Sequence, residues 1–475
     1  MKIRLAINHI FNRVRRIWKD PALFVLGVIA PLAFVLVIIV PPFQAPDEHT
    51  HFFKAVQLSE GRPIGKYLGV LPGYPLPLVG DMLPAKYKVT ADHYIDIRIH
   101  LAKKADVKQI QRDFTHPSTE IRRIPSPFEN TVVYPPFAYI PQALTIAVVN
   151  VFCKNPLVQM YAARLSVLIV TTLLLFLAVR RLPFGKWALV ALIATPMSLL
   201  LIGSCSGDGV TMGVSALFIA HVVAAVVNRN KLVRSELVWI TALAVALGIC
   251  KSPYQLLVFL VLVIPLSRFT NRNTYYRTLA LAVALPLALA AIWALLVKKL
   301  YLNIVIDSNT ANQTQYMLHH PLDFAHTLLR TYFGAAGDYV PRTFMDLSAG
   351  PSAPLPLWSV LLDYLFIAGL ILLEPVQTVL TRGLKYVRLA AVLLIGAMFM
   401  ALNTLLYVTF TPVMKPIIDG MQGRYFIPVS YLLVPLAGGS LATDEKRYVR
   451  LVSVFRWVTI FMACMAYLAL IKRYY

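Results

Sequence analysis

The chain has 475 residues, of which 58% are hydrophobic and 14% charged, and its apolar residues lie in long blocks, which excludes a water-soluble globular domain. The formal net charge of +23 does not point to nucleic acid, because Lys and Arg gather in short stretches beside the apolar blocks, where they orient a membrane protein. Cys153, Cys205, Cys250 and Cys464 form no CxxC pair and no zinc spacing; they read as isolated cysteines at apolar positions, with a Cys205–Cys250 disulfide as the other reading.

Residues 1–21, carrying Arg13, Arg15, Arg16 and Lys19, read as a cytoplasmic N-terminus. Residues 22–41 read as a first transmembrane helix running outward. Its apolar run, Ala22 to Val40, exceeds a signal-peptide core, and no small-residue cleavage site follows. Residues 42–157 are expected outside as one large loop, whose polar part, Phe43 to Tyr134, mixes both signs of charge. Long translocated loops escape the positive-inside bias. The loop closes with Tyr134-Pro135-Pro136 and an apolar piece, 137–152, too short for a full span and expected to be re-entrant or interfacial.

Charge decides that choice. If 137–152 does not cross, the helix near Val158 to Val179 delivers Arg180, Arg181 and Lys186 to the cytoplasm. The later clusters, Arg229 to Arg234, Arg268 to Arg277 and Lys446 to Arg450, then fall there too. Transmembrane helices over 158–300, a second large extracytoplasmic loop at 301–356 and C-terminal helices over 357–475 complete an all-α, polytopic fold of about 11 spans. Lys298, Lys299, Lys472 and Arg473 are left at the outer interface, where long side chains snorkel. The expected location is a cell membrane, crossed several times, with a cytoplasmic N-terminus.

No Walker loop, dinucleotide glycine pattern or HExxH is present, so nucleotide-driven transport and soluble cofactor chemistry have no support in the sequence. The chemistry-bearing stretch follows the first helix: Pro41-Pro42-Phe43-Gln44-Ala45-Pro46-Asp47-Glu48-His49-Thr50-His51. Three prolines restrict the backbone there and hold two carboxylates and two histidines close to the membrane surface.

The Pro46 to His51 stretch, Ala163-Arg164-Leu165, Lys251-Ser252-Pro253-Tyr254 and Gln422-Gly423-Arg424-Tyr425-Phe426 together carry a resemblance. In these motifs and in its layout the chain resembles the GT-C superfamily of polyprenyl-phosphate-dependent glycosyltransferases. Within it the chain is most similar to a bacterial membrane family classed as a domain of unknown function, over nearly the whole length. The resemblance implies a GT-C-like fold and an inverting glycosyltransferase that moves a sugar from a polyprenyl-phosphate donor to a cell-envelope glycan or lipid-linked acceptor. It implies a carboxylate of the first outer loop, Asp47 or Glu48, as catalytic base. It also implies Lys251 and Arg424 as cations for the leaving phosphate and Asp208 as a second acidic position. Tyr134 would pack on a sugar ring, with His51 and Tyr425 also contacting substrate. Partners are then the lipid donor, the acceptor and membrane lipid, with no nucleic acid.

Plainer readings stand beside these. Asp47 and Glu48 can serve as a solvated turn capping a helix over Thr50 to Glu60, Asp208 as a tight-turn residue between Gly207 and Gly209, and Lys251 and Arg424 as interface anchors. No cofactor is expected; a divalent metal on His49, His51 and the carboxylates is the less favoured reading, since a spacing of two with no third cluster is weak. A transporter or flippase of lipid-linked saccharides is the alternative function; it would predict ionisable groups buried mid-helix or helix interruptions at corresponding positions in two halves, but only Asp363 and Glu374 lie in or near one helix and no repeat is evident.

Overall fold

The structure is a computed structural model describing residues 2–71, 73, 75–100, 102–228, 230–303, 305–334, 353–375 and 384–475, with side chains from residue 11 onward. Arg229 and much of the expected second loop therefore lie outside the described residues.

The molecule is a helical bundle with a small mixed domain at one end. Among the described residues, six helices are long and apolar enough to cross a bilayer: Pro21–Ile39, Pro156–Arg181, Gly207–Val227, Arg272–Leu296, Lys385–Thr409 and Glu445–Tyr474. The other segments expected as spans are shorter or interrupted. Within the stretch 158–300 expected as spanning helices, Trp187 to Ile202 divides into Lys186–Ile193 and Pro196–Ile202; Pro196 cannot continue the first, and Thr195 caps the second by accepting from the Ser198 N–H. Tyr254–Val263 winds as a 3-10 helix, so its 10 residues reach about 20 Å rather than the roughly 15 Å of an α-helix. The stretch from Tyr425 breaks into Ile427–Ser430 and Leu433–Ala437, with Pro428 and Pro435 inside them.

Gly207–Val227 is the central helix, with 94% of its apolar window buried, whereas Arg272–Leu296 has 11% buried and turns most of its surface outward. The close packing of the central helix against Pro156–Arg181 depends on Gly209: a Cβ there would come within 2.9 Å of Thr171 Oγ1 and 3.0 Å of the Leu201 carbonyl.

The end domain is built from 42–157. Its helix Glu48–Ser59 lies beside a three-stranded antiparallel sheet, β1 (Lys66–Gly69), β2 (Leu78–Pro84) and β3 (Arg123–Pro127), with β2 in the centre. The sequence reading did not anticipate this sheet. Its centre is polar: buried Asp81 on β2 accepts from Gln57 and pairs with Arg62 at 2.6 Å, so the strand lacks the apolar alternation that identifies strands.

The apolar piece beyond Tyr134-Pro135-Pro136 forms Phe137–Tyr139 and Ile140–Phe152. Near its start Tyr139 bonds His51, and near its end Asn150 accepts from Lys86, so both ends meet the end domain. Leu144, Val148, Val151 and Phe152 form an exposed apolar stripe along it. Arg473, expected to snorkel, instead donates to the carbonyls of Lys103 and Ile97. The C-terminus and the first loop thus share one end of the bundle, which requires an even number of crossings between them.

Candidate active site

The first helix ends at Ile39, and its last carbonyls need partners. Arg164, from the middle of an apolar helix, supplies them: it donates to the carbonyls of Val37, Val40 and Pro41 at 2.8–2.9 Å. Its remaining N–H groups grip Glu48, with Nε to Oε1 at 2.7 Å and Nη2 to Oε2 at 2.5 Å, and the Cys205 N–H donates to Oε1. Both side chains are almost wholly buried. This knot fixes where the loop leaves the bundle, and so where Asp47 stands.

Asp47 occupies the left-handed region, φ 53°, a strained conformation that Asp tolerates better than most residues. Its carbonyl, not its carboxylate, caps the following helix by accepting from the Thr50 and His51 N–H groups. The carboxylate is thereby free to turn away, and Arg424 Nη2 donates to Oδ2 at 2.5 Å.

Arg424 is joined by Lys251 and Asp208. Lys251 Nζ donates to Asp208 Oδ1 at 2.7 Å, and Arg424 Nη1 lies 3.5 Å from Asp208 Oδ2. Asp208 is held in the first turn of the central helix, where Ser206 Oγ accepts from its N–H. Lys251 Nζ also sits over the rings of Tyr134 and Tyr425, at 4.9 and 5.5 Å. The Tyr425 carbonyl accepts from Tyr254. Segments widely separated in sequence thus meet in one cluster of two carboxylates and two cations.

A cavity of about 510 Å³ opens on this cluster. Asp47, His51, Lys251 and Arg424 form its polar end, and a wall of Leu287, Ala290, Ala291 and Ala294 comes from the outward-facing helix Arg272–Leu296. Residues 32–433 match the family described as "Predicted membrane protein (DUF2142)". The chain belongs to that family. Among curated proteins none matches. Among solved structures it is similar to ArnT from Cupriavidus metallidurans bound to undecaprenyl phosphate, at 16% identity and a TM-score of 0.41, covering 87% of this chain and 59% of that one.

In this DUF2142 chain the electrostatics of the cluster follow from its geometry. Burial works against the ionised Asp47 carboxyl, but the charge of Arg424, joined at low pH by protonated His51, outweighs it and holds its pKa below the usual carboxylate range. His51 is pushed down to about 4, chiefly by burial. It is therefore neutral near pH 7, with Nδ1 bonded to the Tyr139 hydroxyl at 2.7 Å.

Asp47, His51, Tyr134, Lys251, Arg424 and Tyr425 all line the cavity, and Asp208 backs its cations. Glu48, named with Asp47 as the alternative base, points away into the Arg164 knot. Asp47 does stand at the N-cap of Glu48–Ser59, but through its backbone only, since its side chain caps nothing; Arg424 is 4% exposed, which does not suit an interface anchor. His49 turns to Arg98, away from His51. Among the described residues, no group of three His, Cys, Asp or Glu side chains is arranged to hold a metal.

Three contributors escaped the sequence reading. Arg164 sits in the Ala163-Arg164-Leu165 motif, and an arginine inside an apolar span is itself a signal that a buried partner exists. Glu129 and Asn130 also line the cavity, and the Asn130 Oδ1 is buried without a hydrogen-bond partner. Loop polarity in the sequence does not distinguish them from solvated neighbours.

Proposed function

We propose that the protein is an inverting membrane glycosyltransferase using a polyprenyl-phosphate sugar as donor and a cell-envelope glycan or lipid-linked saccharide as acceptor. The observation that carries this reading is Arg424. It is almost fully buried and lines the cavity, yet its Nε and Nη1 have no hydrogen-bond acceptor. A buried guanidinium left in this state is costly unless a ligand completes it, and phosphate oxygens are its natural complement. The apolar wall beside it suits the lipid half of an amphipathic donor.

In the reaction Asp47 takes the proton of the acceptor hydroxyl as that oxygen attacks the anomeric carbon. The bond from that carbon to the phosphate oxygen breaks, and its electron pair leaves with the polyprenyl phosphate. Arg424 and Lys251 stabilise the charge that develops there. Neutral His51 and the aromatic faces of Tyr134 and Tyr425 contact the sugar or phosphate. Glu48 positions Asp47 through Arg164 and does not react.

The test is binding of a polyprenyl phosphate to protein in nanodiscs, compared between the parent and Arg424→Lys. A lysine cannot reproduce the planar fork. The variant should stay folded and bind at least tenfold more weakly; unchanged binding would remove the phosphate role. A transporter reading draws on Asp363, which is buried inside the apolar helix Leu357–Leu372 with Oδ2 unpartnered. It predicts that Asp363→Asn abolishes movement of lipid-linked saccharide in vesicles, whereas the glycosyltransferase reading predicts that sugar transfer survives that change.

A further inference from the structure

Arg424 serves two partners at once. A guanidinium has five N–H donors. Arg164 uses every one of its own on Glu48 and three carbonyls. Arg424 makes one hydrogen bond, to Asp47, and an ion pair to Asp208 that is too long at 3.5 Å to be a full hydrogen bond. Asp208 Oδ2, the atom facing that long contact, is itself buried without a hydrogen-bond partner. Two alternative pairings of one cation are therefore built side by side: Nη2 on Asp47, which is closed, and Nη1 on Asp208, which is open.

Exposure differs across these pairs. The Asp47 side chain is 32% exposed and the Arg424 side chain 2%. Asp47 lines the cavity, so an anion entering it competes for Arg424 with a carboxylate that has room to leave. Asp208 stays behind, bonded to Lys251, and can close on Nη1 as Asp47 departs.

We propose that the donor phosphate displaces Asp47 from Arg424, so that the carboxylate is released to act as base only when the donor is bound. This rests on the donor reading above and adds to it a coupling between two roles. With Arg424 on Asp47, the base is masked and weak. With Arg424 turned to phosphate and Asp208, Asp47 loses its principal cation and gains proton affinity. Acceptor deprotonation without donor is thereby avoided. The charged and titratable groups around Asp47 are Arg424, His51, His49 and Arg98 and the phenols of Tyr134 and Tyr139, with Asp208 and Lys251 behind Arg424.

The test uses full-length protein in nanodiscs and farnesyl methyl phosphate, a phosphodiester that carries one fixed negative charge across the working pH range. Calorimetry in buffers of different ionisation enthalpy reads the protons taken up on binding. Proton uptake is expected in the parent, increasing as pH falls toward 5, and it should persist in His51→Gln, which removes the neighbouring imidazole. In Asp47→Asn the uptake should drop, and the diester should bind about 5-fold or more tightly, the low end of typical site-to-site coupling, because its competitor has lost its charge. If Asp47→Asn does not fold, the parent and His51→Gln still decide: the affinity of each must strengthen as pH is lowered. Binding with no proton uptake and no gain in Asp47→Asn overturns the coupling and leaves the donor reading standing. No binding of the diester to any form overturns both.

Discussion

At the scale of single residues, two adjacent carboxylates have opposite fates, and the difference is measurable. Asp47→Asn keeps size but cannot accept a proton, so sugar transfer in membranes should fall about 100- to 10,000-fold with little loss of fold. Glu48→Gln should instead lower stability, because it leaves Arg164 buried without its counter-charge. Breaking such a pair costs about 3–5 kcal/mol, read as an earlier thermal transition in detergent. Glu48→Gln combined with Arg164→Met should cost less than the sum of the two single changes, since each exposes the same missing partner. Full transfer by Asp47→Asn, or additive losses in the pair, would contradict these roles. The pH response has one sign. His51 is depressed to about 4 against an unfolded value of 6.5, so the unfolded chain binds more protons between those values. Stability should fall as pH drops from 6.5 toward 4, and the drop should be smaller in His51→Gln. Asp47, also depressed, adds a loss of the same sign at lower pH.

At the scale of elements, the long spans were legible because composition alone defines them. The span expected near Val158 to Val179 matches Pro156–Arg181 closely, and Gly207–Val227 falls within the stretch 158–300 expected as spanning helices. What hydropathy could not show was where such a segment breaks or tightens. Trp187 to Ile202 is equally apolar on both sides of Pro196, and Tyr254–Val263 differs from an α-helix in winding, not in composition. The sheet was hidden because β2 carries Gly80 and Asp81 at its centre, and Gly80 is required where a Cβ would meet the Ser126 carbonyl. The site residues were named from motifs, but their pairing was not: Lys251 with Asp208 and Arg424 with Asp47 are contacts between distant segments that no local pattern encodes. Gly209 offers a test at this scale. Gly209→Val should force the central helix from its neighbour and cost about 1–3 kcal/mol, typical of overpacking, seen as a lower thermal transition; unchanged stability would mean that this contact is loose.

At the scale of the whole molecule, the end domain, the cluster and the C-terminus lie together, and their side of the membrane is a prediction. Arg122→Cys, on the exposed rim of the end domain, should react with an impermeant reagent applied from outside, whereas Arg234→Cys should react after permeabilisation. The reverse pattern would invert the whole arrangement. The sparsely buried helix Arg272–Leu296 has a further consequence. One face of it lines the cavity, Leu279, Val283, Leu287 and Trp293 pack on the core, much of the remaining surface is exposed, and Trp293 ties its end to the Val133 carbonyl. A wall buttressed by protein on one side only takes part of its position from the lateral pressure of whatever surrounds it. The volume of the cavity should therefore vary with acyl-chain length, and a detergent micelle would hold it at a different size from the one the bilayer sets.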